Sequence, residues 1–586
     1  MNSEIKRIVL DGIKVSDGVV IGEVYVMGSS VSRVPEREIE DSQIEDEIKR
    51  FKKALKKTKA QIKKLQDQVY SSLGKNHADI FEAHLMLVDD NIVLEEVLQI
   101  LRSENQNIDF IFDQVVKRYI EAIRMVDDAY FKDRIADIRD VANRILVNMS
   151  GEKVEDLKAL KGKKIIIAHD ISPFVAASMD KKNIIGFGTD VGSKTSHTAI
   201  IARSMKIPAV VGLHSAVKHV KTGDMVILDG VSGKLILSPT KEDLDEYELK
   251  EIRQDRKLEK LKAQAHFPTE TLDGFRVQLA GNIEHPDDTE NLKEFPNTGI
   301  GLYRTEYLFL GGDDFPSEEE QFEAYKSVAE SIAPNAVIIR TIDIGGDKLP
   351  SKKSDLFDSE NPFLGVRAIR LCLIQKELFK KQLRAILRAS HYGKVRLMFP
   401  MICAVEELLE AVDILEEAKN ELRNEKIPFN NELDIGIMIE VPSAALIADQ
   451  LAQYVDFFSI GTNDLIQYLM AVDRVNENIA YLYQPTHPSL IRLIRHVVNV
   501  AQSEGIWVGI CGEVAGDPIL TPLVLGLGIH ELSMSSVAIP EVKNVIRALN
   551  MHDAEQLVED AMKCRSGPEV RMLCEAFVNQ LQVDIN

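Results

Sequence analysis

A multidomain α/β protein is the fold class this sequence predicts: an α/β domain carrying an inserted helical bundle, followed by a C-terminal TIM (β/α)8 barrel. Three observations predict it. At 586 residues the chain exceeds what a single core fills. A long block of helical periodicity separates two sets of short β-branched runs. The last half alternates strand and helix eight times.

The opening stretch IKRIVLDGIKVSDGVVIGEVYVM sets β-branched runs between Asp-Gly turns and predicts two or three strands. From Asp41 to Val69, apolar Ile44, Ile48, Phe51, Leu55, Ile62, Leu65 and Val69 recur at helical spacing, and helical texture continues to Met149 with little Gly or Pro. Short apolar runs then return in KKIIIAHD, NIIGFGTD, IPAVVGL, MVILDG and KLILSP, so the opening strands belong with these and the bundle is an insertion. The expected boundaries are 1–30 and 150–240 for the α/β domain, 31–149 for the bundle, 241–268 for a charged helical linker and 269–586 for the barrel. The linker assignment rests on acid and base side chains on every face of KEDLDEYELKEIRQDRKLEKLKAQAHF, and a peripheral helix is an equal reading.

Eight candidate barrel strands follow: RVQLAGNI, GIGLYRTEYLF, AVIIRTIDIGG, VRLMFPMI, DIGIMIEV, VDFFSIGTNDL, WVGICGEVAG and ELSMS. Their C-terminal ends carry Arg304, Arg340 and Asp343, Glu440, Asn463 and Asp464, Cys511 and Glu513. Strand C-terminal ends form the face on which barrel enzymes gather their reactive groups.

Bulk properties exclude several classes. A formal net charge of -21 argues against nucleic-acid binding. Five scattered cysteines form neither a disulfide framework nor a CxxC zinc site and fit a reducing cytoplasm. The charged N-terminus lacks a signal-peptide core, and no apolar stretch is long enough to insert in a membrane, so a cytoplasmic location is expected.

The segment GSKTSHTA places His197 among Thr195, Ser196 and Thr198, ahead of the helical run IIARSMKI. A hydrogen bond to one ring nitrogen leaves the other free as a nucleophile, and glycine with a helix N-terminus favours an anion, so His197 reads as a phosphoryl carrier. On the barrel face, Arg304, Arg340 and Arg474 offer forked donors for phosphate and carboxylate oxygens. Glu440 and Asp464 offer hard oxygen ligands for Mg²⁺, Asn463 and its turn offer further donors, and Cys511 is a candidate proton donor or a buried core thiol. Together they describe a site for a small phosphorylated carboxylic acid.

These residues resemble a known family, enzyme I of the bacterial phosphoenolpyruvate-dependent sugar phosphotransferase system. The resemblance covers nearly the whole chain, through TDVGSKTSHTAIIARSMKIPAVVG, GIGLYRTEYLF, EEEQFEAYKSVAE, IIRTIDIGGDK, ENPFLGVRAIR, DFFSIGTNDLIQY, AVDR and GICGEVAGD. It implies that His197 attacks the phosphorus of phosphoenolpyruvate and that the group then passes to the histidine of the carrier protein HPr. It also implies that Arg304, Arg340, Arg474 and Asn463 bind the substrate, that Glu440 and Asp464 hold Mg²⁺ at its edge, and that Cys511 protonates the enolate of pyruvate. A swivelling phosphohistidine domain and a homodimer formed through the barrels come from the resemblance alone. In the bundle, FEAHLMLVDD resembles the carrier-docking helix, with His84, Met86 and Leu87 in the expected places.

Departures stand beside the matches. Ser193 and Lys194 replace the usual Gly and Arg, and Lys75, Asn76, Asn91 and Ile92 stand where the family pattern is rich in glutamate, which suggests an interface suited to a less basic HPr. A phosphoenolpyruvate synthase or pyruvate phosphate dikinase would need a nucleotide-binding domain ahead of the His domain, for which the chain has no room. A regulator that senses phosphoenolpyruvate without turnover would not need competent residues at every position.

Overall fold

The structure is a computed structural model. It describes residues 7–16, 18–27, 34–73, 84–85, 87–88, 91–124, 129–150, 162–171, 183–192, 207–250, 264–310, 315–345, 361, 363–474, 476 and 479–583. His197 and Met86 lie outside them. The chain divides into two units, Met1–Arg256 and Lys257–Asn586. Among the described residues no helix is long and apolar enough to cross a membrane.

In the first unit, eight strands make one sheet: β1 (Ile8–Asp11), β2 (Ile13–Ser16), β3 (Val19–Met27), β4 (Lys164–Ala168), β5 (Ile184–Thr189), β6 (Ala209–Val211), β7 (Met225–Asp229) and β8 (Lys234–Leu237). Their order is β1-β8-β7-β3-β4-β5-β6-β2, with β3 to β6 parallel. The buried parallel strands are near-continuous Ile, Val and Ala runs because both faces are covered. β1 and β2, separated only by Gly12, lie at opposite edges, so the opening strands bring the two edges of the sheet together. Gly12 gives its N–H to Gly233 O at 2.8 Å, and a Cβ there would fall 2.7 Å from Val211 O. Only glycine fits that approach.

Between β3 and β4 stand the helices Ile44–Leu73, Asn91–Glu104, Ile108–Arg124 and Ala129–Ser150. Glu45, Asp46 and Glu47 favour the start of the first against its positive end. Phe51, Ile62, Val97, Leu101, Ile111, Val115 and Ile145 fill the core that the helical spacing predicts. Of the charged stretch after Lys241, residues 241–250 are helical and lie against the sheet: Tyr247 is buried beside Ile227 and Ile236, and Arg7 donates to both oxygens of Asp243 at 2.7 and 2.8 Å.

The second unit is a closed barrel of eight parallel strands: β9 (Gln278–Ile283), β10 (Gly299–Tyr303), β11 (Ala336–Arg340), β12 (Lys394–Phe399), β13 (Ile435–Ile439), β14 (Phe457–Gly461), β15 (Trp507–Cys511) and β16 (Glu531–Met534). Seven fall within predicted segments, and β12 begins one residue ahead of its own, at Lys394. Helices Glu318–Ile332, Lys376–Ala389, Val405–Glu425 and Pro488–Glu504 lie among those between the strands, the last closed by Gly505 at φ 74°. Leu302, Ile338, Met398, Met438, Phe457 and Cys511 fill one side of the barrel interior.

Candidate active site

The polar ends of the barrel strands converge as the alternation predicts, and they do so as a chain of charges. Arg340 closes β11, 8% exposed, with Nη2 2.6 Å from Glu306 Oε1 and Nη1 3.0 Å from Asp343 Oδ2. Asp343 in turn takes Arg367 Nη2 on its other oxygen at 2.9 Å. Arg367 continues to Asp464 Oδ2 at 3.6 Å and to the Tyr468 hydroxyl at 3.2 Å. Burial works against both guanidinium charges, but the surrounding carboxylates outweigh it and hold both arginines protonated.

Glu440 follows β13 and is 1% exposed. Burial, then Asp343 and Asp464, drive its carboxyl well above the usual range, against the pull of Arg340. Met401 turns to φ 57° and gives its N–H to Glu440 Oε1 at 2.6 Å. Asp464 lies in the first turn of the helix Thr462–Met470, so the predicted GTND turn is the opening of a helix, whose first N–H groups point toward the rim. Among the described residues, Arg340 Nε, Arg367 Nε and Asp464 Oδ1 at this rim are buried without a partner. Such atoms are uncommon in folded proteins and mark a place that a ligand or ion completes.

The remaining predicted residues ring this cluster. Arg304 follows β10 and pairs with Glu284 at 2.7 Å. Asn463 Oδ1 accepts from Glu513 N at 3.2 Å. Arg474, exposed, hydrogen-bonds the Tyr483 hydroxyl, which donates to Asn463 O at 3.4 Å. Cys511 ends β15, 2% exposed, between Ser459 Oγ and Ile460 O, each 3.6 Å from its sulfur. Burial pushes its thiol up to about 11, so at neutral pH it holds its proton.

Sequence reasoning did not assign Glu306, Arg367, Tyr468, Ser459 or Tyr483. Glu306 stands two residues after Arg304, and Arg367 lies in ENPFLGVRAIR just before the helix Ala368–Ile374. Their partners are far along the chain, 101 positions in the case of Arg367 and Tyr468, and no local pattern records such a pairing. In the bundle, His84 is 2% exposed and Leu87 half-buried.

Comparison with known proteins bears on the same residues. Three family models match: PEP-utilising enzyme, N-terminal, over residues 11–134; PEP-utilising enzyme, mobile domain, over 160–233; and PEP-utilising enzyme, PEP-binding domain, over 258–551. The chain is 42% identical to the phosphoenolpyruvate-protein phosphotransferase of Bacillus sp. (strain S) across 97% of its own length and 98% of the relative's. Proteins of that name from Staphylococcus aureus and from Haemophilus influenzae (strain ATCC 51907 / DSM 11121 / KW20 / Rd) are each 41% identical, across 97% of this chain and 99% of theirs. The chain belongs to the phosphoenolpyruvate-protein phosphotransferase family. Within that family's architecture the matched PEP-binding domain takes in all eight barrel strands and every rim residue described above, and the matched mobile domain takes in His197.

Proposed function

We propose that this chain takes the phosphoryl group of phosphoenolpyruvate onto His197, releases pyruvate, and hands the group to the histidine of HPr. The observation that carries the reading is the barrel rim itself. Buried arginine donors, the buried carboxylates of Asp343, Glu440 and Asp464 and a protonated thiol meet there, with Arg340 Nε, Arg367 Nε and Asp464 Oδ1 unpaired among the described residues.

The donor set fits Mg²⁺. Among the described residues Asp464 Oδ1 is buried without a partner, and Glu440 carries a repulsion from Asp464 that a dication between them would relieve. Among the described residues no group of three or more His, Cys, Asp or Glu side chains converges on one point, and Mg²⁺ characteristically takes one or two carboxylates and fills its shell with water and phosphate oxygens. When bound, the ion neutralises charge on the phosphate and enolate oxygens.

The chain's own residues supply the rest. Arg340, fixed on two carboxylates, keeps Nε for an acceptor, and Arg304 and Arg474 are exposed enough to close on the substrate's anionic groups. Asn463, whose Oδ1 is held by Glu513 N, keeps its amide nitrogen as a further donor. Cys511, protonated at neutral pH, gives its proton to C3 as the phosphoryl group leaves. Positioning and neutralisation of oxygen charge are the main demands of phosphoryl transfer. The reading includes a His domain at 1–30 and 150–240 that swivels between barrel and carrier, an HPr-binding bundle at 31–149 that meets the carrier through Met86 and Leu87 while His84, 2% exposed, is buried within it, a linker confined to the part of 241–268 beyond the sheet-packed helix 241–250, and a barrel dimer at 269–586.

Incubation with ³²P-labelled phosphoenolpyruvate and Mg²⁺ tests the proposal. Acid-labile label on the parent, its absence in His197→Ala, and its transfer to added HPr are the expected results. Label retained in H197A, or label that requires ATP, overturns it.

A further inference from the structure

One wall of the barrel interior is polar, and no role proposed above uses it. Glu531 opens β16 with its side chain 4% exposed, and among the described residues no hydrogen bond or ion pair reaches its carboxyl. The sequence makes room for it. Gly301 of β10 and Gly509 of β15 face the carboxyl, and a Cβ on Gly301 would fall 2.8 Å from Glu531 Oε1 and 2.5 Å from Ser533 Oγ. Two oxygens bordering the same point are within reach of one bridging water. The few percent of Glu531 left open admits water to a carboxyl that protein atoms otherwise enclose.

Position supplies the use. β15 and β16 run parallel with Gly509 opposite Glu531 and Cys511 opposite Ser533. Directly paired residues on neighbouring strands are about 4.8 Å apart and share a face, so Ser533 stands beside Cys511 with Glu531 one pair lower. Ser533 Oγ now donates to Asn282 Oδ1 at 2.6 Å, a hydroxyl free to turn about one bond. Below Glu531 lies the N-terminal rim, where half-buried Trp507 stacks on Phe457 and the Arg396 guanidinium sits 4.7 Å over the Trp507 ring. Of the groups around the carboxyl, Arg396 of β12 and Cys511 of β15 are charged or titratable, while β9, β10 and the rest of β16 present Asn282, Gly301 and Ser533.

We propose that Glu531 restores the proton that Cys511 gives up, with the Ser533 hydroxyl between them. The inference rests on the reading of Cys511 as the acid. The Cys511 S–H bond breaks as its proton joins C3 of the enolate, leaving a thiolate. The Ser533 hydroxyl gives its proton to that sulfur while it accepts a proton from the bridging water, which in turn takes the proton of the Glu531 carboxyl, and Glu531 recovers a proton from water at the N-terminal rim. Burial pushes the Glu531 carboxyl up to about 7, below the thiol at about 11, so the transfer runs downhill and the donor can be reloaded near neutral pH.

Rapid-quench measurement of pyruvate formation with phosphoenolpyruvate, Mg²⁺ and excess HPr separates the steps. In Glu531→Gln the first turnover, which uses the proton already on Cys511, keeps the parent's rate and amplitude. Later turnovers slow by about tenfold or more, and the fall in parental rate as pH rises through neutrality is lost. Glu531→Asp keeps part of the steady-state rate, as a shorter carboxyl should, whereas a purely structural defect would lower the first turnover as well. Parent-like later turnovers in E531Q, or a first turnover slowed together with the later ones, overturn the proposal. Cys511→Ala distinguishes the two readings: it slows the first turnover if Cys511 is the acid, and an unchanged first turnover in C511A removes that reading whatever E531Q does.

Discussion

Arg340 shows how much of this site is held by pairs of groups rather than by single ones. Its guanidinium joins Glu306 to Asp343, and Asp343 joins it to Arg367, so each charge is fixed from two sides before any ligand arrives. Preorganisation of this kind spares the reaction the cost of turning dipoles. Glu531 is the opposite case, a carboxyl with no partner among the described residues, and it carries a stability consequence. Its folded pKa is raised, to about 7, so the stability attached to its neutral form is full below the ordinary carboxyl pKa and is lost as pH rises through about 7. Glu531→Gln has no charge to bury. The variant's stability relative to the parent should therefore rise by about 2 kcal/mol between pH 5 and pH 8. Urea unfolding at the two pH values measures this, and a difference that does not change with pH would mean the carboxyl is not neutral in the fold.

At the scale of elements, the barrel's second and third strand ends are clamped from outside. Gln382, on the helix Lys376–Ala389, accepts from Ile342 N at 3.0 Å and donates to the Thr305 and Tyr325 hydroxyls at 3.1 Å each. Thr305 passes its own proton to Arg340 O at 3.0 Å. Gln382, Ile342, Thr305 and Tyr325 are all buried, and only a few percent of Arg340 faces the rim. Leucine at 382 fills the space but orphans the Ile342 N–H, a loss of about 1–3 kcal/mol. We expect Gln382→Leu to melt earlier and to raise KM for phosphoenolpyruvate more than it lowers kcat. Calorimetry and steady-state kinetics together check this, and a lower melting point with KM unchanged would confine Gln382 to stability.

How far these elements were legible in the sequence follows from their physics. Strands such as AVIIR and FFSIG are short, β-branched or aromatic, and buried on both faces, so composition alone marks them. The rim residues Arg304, Arg340, Glu440 and Asp464 were legible because each directly follows or closes such a run. Arg367, Gln382 and Glu531 were not. The first two lie on connecting segments outside the strands, and their partners come from elsewhere in the chain. Glu531 opens a strand and resembles any charged residue at a surface turn until the closed barrel puts its side chain inside. The helical opening of GTND was missed because glycine and threonine ahead of an Asn-Asp pair read as a turn, whereas Asp464 in a first turn serves equally well as helix-start chemistry.

The whole molecule separates into two units, and the two halves of the proposed chemistry lie on different ones. The barrel is closed and has its own core, so a fragment Lys257–Asn586 should unfold cooperatively by itself and bind phosphoenolpyruvate in the presence of Mg²⁺. It should take up no label, because His197 belongs to the other unit. Calorimetry with and without the substrate, followed by autoradiography, tests both statements, and a labelled fragment would place an acceptor within the barrel.

The first unit has a feature whose effect is felt before the protein is complete. β1 and β2 form the two edges of a sheet, and the strands they pair with, β8 and β6, are encoded some two hundred residues later. As the chain leaves the ribosome, these strands emerge with nothing to pair with, while the helices behind them can form at once from neighbouring residues. Until the distal strands arrive, the nascent chain exposes unpaired backbone beside a finished bundle, and it is in that interval, rather than in the completed enzyme, that misassembly and aggregation are most costly to it.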